Sequence, residues 1–296
     1  MYLEHFGFCE YPFSLTPDTE YFYGNSCHSD VLNVLQVALR SGEGFIAVTS
    51  EVGLGKTLVC RLLLREIGEE FTTAYIPDPL LSPRALRIAL AEELGVPIQE
   101  GWTEDQLMRR IQKHLIKEFA DGHRVVLLLD EAHQLPPQTL ESVRLLTNLE
   151  TEKFKLLQVV MFGQPELDRR LAHPSLRQLR QRIGFRCTLS PLDRNATAIY
   201  VAHRVSIAGC RTDPLFAPAA VNAVYEASGG TPRLINMLCH KALMAAFGRG
   251  EYGVNLMHVH RAIADTTHAI VQPMNSWERF ARWFARPFVS SRRPAA

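Results

Sequence analysis

The stretch Ser50-Glu51-Val52-Gly53-Leu54-Gly55-Lys56-Thr57 constrains this chain more than any other. An apolar run, Phe45-Ile46-Ala47-Val48-Thr49, precedes it and reads as a short buried strand. Leu58-Val59-Cys60-Arg61-Leu62-Leu63-Leu64 follows it and reads as a helix. Strand, glycine-rich turn and helix, in that order, are the context of a phosphate-binding loop, or P-loop. The loop amides and the helix N-terminus converge on one concavity suited to an anion. Lys56 adds a point charge that can reach the outer phosphates of a nucleotide. Thr57 offers a hydroxyl for Mg²⁺. The expected nucleotide cradle is therefore Glu51, Val52, Gly53, Leu54, Gly55, Lys56, Thr57 and Leu58. One position departs from the pattern, because Ser50 stands where glycine is usual. Glycine suits that place if the turn needs positive φ, so serine is expected to make the turn less easy.

The run Leu127-Leu128-Leu129-Asp130-Glu131 complements this loop. An apolar strand delivers two carboxylates side by side to the nucleotide. Asp130 is expected in the Mg²⁺ shell, and Glu131 is expected to polarise the water that attacks the γ-phosphorus. Phosphoryl transfer asks for in-line geometry and charge neutralisation more than for covalent chemistry. One acid for metal and one for water is the economical division. Asp130-Glu131-Ala132-His133 also spells the DEAH of helicases, but the chain is too short for two helicase cores. His133 is expected as a hydrogen-bonding neighbour of the site. Gln164, at the end of a further strand, offers a neutral amide to the γ-phosphate or the attacking water. Arg177, Arg180 and Arg182 precede the last strand, and Arg182 is the favoured candidate to reach a neighbour's nucleotide. Arginine keeps its charge and grips phosphate oxygens bidentately. Arg233 projects from a helix start after Gly229-Gly230-Thr231-Pro232, where it can sense the γ-phosphate from a separate lid.

Apolar strand-like runs open at Phe45, Phe71, Val125, Leu156 and Phe185, and helical patterns separate them. Such alternation argues for an open parallel sheet with helices on both sides. Ligands then sit beyond the carboxyl ends of strands, where the glycine-rich turn, Asp130 and Gln164 all fall. Between these runs the pattern predicts helices over 30–40, from Ser82-Pro83 to Leu94, from Thr103 to about Ala120, and over 137–150. In the first of them Val31, Val34, Leu35 and Leu39 are expected on one face. From Asp193 only helical patterns follow, over about 194–208, 217–228, 231–248 and 256–271. Residues 1–30 are aromatic and irregular, and are expected to wrap the sheet domain or to line a base pocket. Residues 273–296 set Trp277, Phe280, Phe284 and Phe288 among five arginines. That composition reads as an element that docks on a membrane surface or a partner, or as a last helix folded on its own domain.

The net charge of +1 makes the whole chain a poor electrostatic match for nucleic acid. Cys9, Cys27, Cys60, Cys187, Cys210 and Cys239 lie far apart with no CxxC pair, so reduced thiols and a cytoplasmic setting are expected. No basic segment with an apolar run opens the chain as a secretory signal would. No stretch approaches the roughly 20 apolar residues of a membrane span.

Together these pieces resemble the AAA+ ATPases. More narrowly, they are similar to the ExeA/GspA-type general secretion ATPases and to the MSHA pilus biogenesis ATPases. The resemblance is carried by Met1-Tyr2-Leu3-Glu4-His5-Phe6-Gly7-Phe8 and Pro12-Phe13-Ser14-Leu15-Thr16-Pro17-Asp18. It is carried equally by Glu51 to Thr57, Asp130 to His133, Phe162-Gly163-Gln164-Pro165-Glu166-Leu167 and Gly229-Gly230-Thr231-Pro232-Arg233-Leu234-Ile235-Asn236. It implies an α/β P-loop NTPase core, a five-stranded parallel sheet flanked by helices, followed by a small all-helical lid. The expected division is a lead-in over 1–30, the core over 31–192, the lid over 193–272 and the tail over 273–296. Lys56 and Thr57 match Walker A, Asp130 and Glu131 Walker B, Gln164 sensor 1, Arg182 the arginine finger and Arg233 sensor 2. ATP and Mg²⁺ are implied, as is a homo-oligomer, since a finger acting in trans needs a neighbour.

The longer secretion ATPases carry a membrane span and a periplasmic part. Neither is seen here, so the short MSHA-pilus form is the nearer expected match, with the tail as a peripheral route to the inner membrane. The implied role is ATP hydrolysis in assembly of a type IV pilus or type II secretion machine. A transposition-type DNA helper and an ATP-binding scaffold with little turnover are the alternatives. A GTPase is disfavoured, because no Asn-Lys-x-Asp occurs.

Overall fold

The computed structural model describes residues 2–24, 26–150, 154–210, 214–266 and 269. The docking element expected over 273–296 lies outside the described residues. The elements run α1 Tyr2–Phe6, α2 Ser26–Arg40, β1 Phe45–Thr49, α3 Lys56–Glu66, β2 Phe71–Ile76, α4 Pro83–Glu93, α5 Glu104–Ala120 and β3 Arg124–Leu129. They continue with α6 Pro137–Leu146, β4 Leu157–Gly163, α7 Pro165–Leu171, α8 Arg177–Arg182, β5 Phe185–Thr188, α9 Arg194–Ile207, α10 Pro218–Ser228, α11 Pro232–Phe247 and α12 Leu256–Ala264.

The five strands form one parallel sheet in the order β2-β3-β4-β1-β5. Side chains alternate across a strand, and the two faces divide accordingly. Phe45, Ala47, Val125, Leu127, Leu129, Val159 and Met161 share one core with helices α4 to α8. Ile46, Val48, Val126, Leu128, Val160 and Phe162 share the other with α2 and α3. Burial on both faces explains why β1 and β4 are apolar along most of their length.

Local chemistry sets the helix ends. Ser82 accepts the Ala85 N–H and Pro83 fills the first position of α4. Thr103 and Gln106 form a reciprocal capping box at α5. Two helices stop earlier than the sequence pattern suggests: α6 ends at Leu146 and α12 at Ala264. The inward stripe of α2 is Val31, Leu32, Leu35, Ala38 and Leu39, whereas Val34 is 37% exposed. Val34 follows Val31 by three positions, but it falls on the outer flank.

The lead-in meets the sheet domain only in part, through Phe22, Pro17 and Thr19, while its first rings go to the helical part. Tyr2, Phe6, Phe8 and Phe13 join the core made by α9 to α12. Each such buried ring contributes about 2 kcal/mol. Hydrogen bonds fix the segment there: Cys9 N–H to Ala208 O at 2.7 Å, Arg204 Nε to Pro12 O at 2.5 Å, and Asn236 Nδ2 to Ser14 O at 3.2 Å. These rings are taken up largely by packing. Past Ser14 the segment crosses to α3, where Arg61 Nη1 donates to Pro17 O and Arg65 Nη1 to Thr19 Oγ1. The lead-in thus straps the helical part to the helix that follows the glycine-rich loop.

Candidate functional site

The strand order places the candidate residues at one edge of the sheet. Ser50 follows β1, Asp130 follows β3 and Gln164 follows β4, which lies between those two strands. The loop is tied to that edge by Ser50 N–H, which donates to Gly163 O at 3.1 Å. Ser50 is buried and is not among the described residues with positive φ. The backbone there does not require glycine, so the expected difficulty of serine in the turn is absent.

Helix α3 starts at Lys56, and Gly55 before it gives no side-chain cap. The N–H groups of Lys56, Thr57 and Leu58 are therefore first-turn donors without an intrahelical partner, at the positive end of the helix dipole. Leu58 turns its side chain to the α2–α3 core. Lys56 is 6% exposed, and its Nζ donates to Ser50 O at 2.8 Å, Glu51 O at 3.2 Å and Ser50 Oγ at 3.4 Å. Burial lowers its pKa, and the nearby carboxylates of Glu131, Asp130, Glu51 and Glu166 oppose that shift. Val52 is exposed and Leu54 is buried.

Thr57 Oγ1 donates to Asp130 Oδ2 at 3.0 Å, while the Glu131 N–H holds Asp130 Oδ1 at 2.9 Å. Burial raises the Asp130 pKa, and these two hydrogen bonds counter it. Thr57 and Asp130 form a pair of hard oxygen donors of the kind Mg²⁺ takes. No group of three His, Cys, Asp or Glu side chains gathers into a metal cage among the described residues. The pair therefore fits a cation whose remaining ligands are water and phosphate oxygens.

Glu131 is the only non-glycine described residue with positive φ, at 48°. Its Oε2 is buried without a hydrogen-bond partner. His133 Nδ1 lies 3.3 Å from it, but that nitrogen faces the Gln164 N–H at 3.5 Å. His133 Nδ1 therefore stands between the Glu131 carboxylate and the Gln164 N–H. The left-handed backbone costs about 1–2 kcal/mol at a non-glycine residue. Glu131→Gly should therefore raise unfolding stability by up to about 1 kcal/mol after glycine's entropic cost, while removing the carboxylate. Urea denaturation reads this, and an unchanged or lower midpoint would show the turn to be unstrained.

Gln164 caps the start of α7 with no side-chain cap bond. Arg233 comes from α11, and its N–H donates to Gly53 O at 3.3 Å. A Cβ on Gly53, whose φ is +83°, would sit 2.8 Å from Arg233 Cβ. The helical part therefore rests directly on the loop. Arg182 is exposed in the last turn of α8, with Nη1 on Thr147 Oγ1 at 3.1 Å. It precedes β5, at the amino edge of the sheet, so it is remote from this chain's own loop. Arg177 and Arg180 lie on the same short helix.

Two neighbours of the site escaped the sequence reading. His28 of α2 contacts the Leu54 carbonyl. Tyr75 of β2 stands next to Asp130, and burial pushes its phenol up to about 12, with Asp130 adding to the shift. A histidine ahead of a loop and a tyrosine in a strand carry no local signal of either contact.

A family model described as AAA domain matches residues 39–171. The general secretion pathway protein A of Aeromonas hydrophila is 42% identical over 278 residues, which are 94% of this chain. The chain spans about half the length of that relative, 50%. Among solved structures, Cdc6p from Pyrobaculum aerophilum superposes with a TM-score of 0.64 at 18% identity, covering 83% of this chain and 70% of that one. The Aeropyrum pernix ORC1 protein, solved in complex with DNA, gives 0.63 at 20% identity, covering 86% and 69%. The chain thus has an AAA+ P-loop fold, and its sequence makes it a relative of a general secretion pathway protein A.

Proposed function

We propose that this chain binds ATP with Mg²⁺ and hydrolyses it to ADP and phosphate. The carrying observation is the Thr57–Asp130 pair, with Glu131 next in the chain, set beside the buried Lys56 and the uncapped start of α3. The loop amides and Lys56 would hold the phosphates. Thr57 and Asp130 would hold the Mg²⁺, which when bound neutralises charge on the phosphate oxygens. Glu131 would orient and polarise the attacking water, and Gln164 would align it. Arg233 would report the γ-phosphate to the helical lid over 193–272. Arg182, exposed and remote from its own loop, suits a finger offered to a neighbouring copy, which makes a homo-oligomer the working form.

The sequence relation favours a secretion or type IV pilus assembly machine as the setting, with partners at the inner membrane and a cytoplasmic or peripheral location. No helix among the described residues is long and apolar enough to cross a membrane. Lys56→Ala should weaken ATP binding about a hundredfold, since a charge-assisted bond to phosphate is lost. Calorimetric titration of purified protein measures this. Binding within about twofold of wild type would remove Lys56 from the phosphate site. Phosphate release by the wild-type chain tests hydrolysis itself.

A further inference from the structure

His28 lies in α2, 26 positions ahead of the loop residue it touches. Its side chain is 5% exposed, and Nε2 stands 2.7 Å from the Leu54 carbonyl oxygen. A carbonyl oxygen only accepts, so Nε2 carries the proton. A Cβ added to Gly55 would lie 3.1 Å from the same nitrogen, which leaves no room for water between ring and loop. In a trans peptide the carbonyl and the following N–H point opposite ways. Holding the Leu54 carbonyl toward α2 therefore turns the Gly55 N–H away from α2. Burial lowers the His28 pKa, against the opposing pull of the Leu54 carbonyl. The ring is thus a neutral brace, not a further cation for phosphate.

We propose that His28 is a positioning residue for the loop: its Nε2–H pins the Leu54 carbonyl and so sets the Gly55 N–H to meet a nucleotide phosphate. This rests on the nucleotide-binding reading of the loop, but the pin can be read without nucleotide. Two variants of the full chain separate donor from bulk. His28→Gln keeps an N–H donor, and His28→Leu keeps volume without one. In the absence of nucleotide, amide hydrogen exchange over residues 53–57 should quicken about tenfold in His28→Leu, as expected when one buried bond is lost. Exchange should stay near wild type in His28→Gln. Equal exchange in all three proteins overturns the pin.

In ATP turnover, His28→Leu should raise KM about tenfold with kcat within about twofold, and His28→Gln should recover most of the loss. A fall in kcat at constant KM, or equal behaviour of the two variants, overturns the proposal. A wild-type chain that binds no nucleotide, yet shows the expected exchange order, leaves the pin standing and sinks the nucleotide reading. Should His28→Leu fail to fold, ¹⁵N NMR of wild-type histidine decides. The Nε2–H tautomer is required, and the Nδ1–H form overturns the pin.

Discussion

Glu131→Gln should bind ATP as tightly as the wild type and hydrolyse it about a hundred- to a thousandfold more slowly. Glutamine keeps the size and shape of the side chain, so the left-handed turn at φ 48° and the Glu131 N–H bond to Asp130 are retained. What is lost is the carboxylate, whose Oε2 makes no hydrogen bond and has His133 Nδ1 at 3.3 Å. A neutral amide cannot draw a proton from water. Single-turnover phosphate release alongside nucleotide titration gives both numbers. Turnover within about threefold of wild type would move the general base elsewhere, with His133 the next candidate at 3.3 Å.

Gly230→Ala should be the most damaging single methyl in the described chain. The φ there is +75°, and the added Cβ would fall inside the Leu192 carbonyl oxygen. The obstacle is backbone, and the same backbone is bound in return, with Leu192 N–H donating to Gly230 O at 2.9 Å. Left-handed strain and a main-chain clash together are expected to cost about 3 kcal/mol. The effect extends to the site, because Gly230 leads through Thr231 and Pro232 to Arg233, whose N–H rests on Gly53. Urea unfolding and ATP turnover should fall together. A fully stable variant with normal turnover would show that the joint can bend without consequence.

Much of the fold was legible because the sheet is buried on both faces. Runs such as Phe45–Thr49 and Val125–Leu129 are apolar almost throughout and buried, so apolarity marked them as strands, whereas the edge strand Phe71–Ile76 showed itself by its β-branched and aromatic residues. The order β2-β3-β4-β1-β5 makes Ser50, Asp130 and Gln164 neighbours, as their common place at strand ends suggested. The AAA+ fold that the resemblance implied is found, with a helical part after the sheet. Val34 was misplaced because a three-residue step is compatible with a wider stripe than α2 presents. The first part of the lead-in was misplaced for a different reason. Its rings declared burial but not an address, and Tyr2 finds His240 across 238 positions. His28 was invisible because its work is a contact with a main-chain carbonyl, which leaves no trace in residue spacing. Nor does an Asp-Glu pair disclose that its second member has a left-handed backbone.

The aromatic strap has a consequence for how the polypeptide is made. Phe6, Phe8 and Phe13 leave a ribosome long before residues 200–260, from which their resting place is built. Vectorial synthesis therefore leaves three greasy rings waiting while the intervening sheet assembles, so an early segment is among the last to settle. A chaperone that shields waiting apolar segments would find its natural customer in those rings.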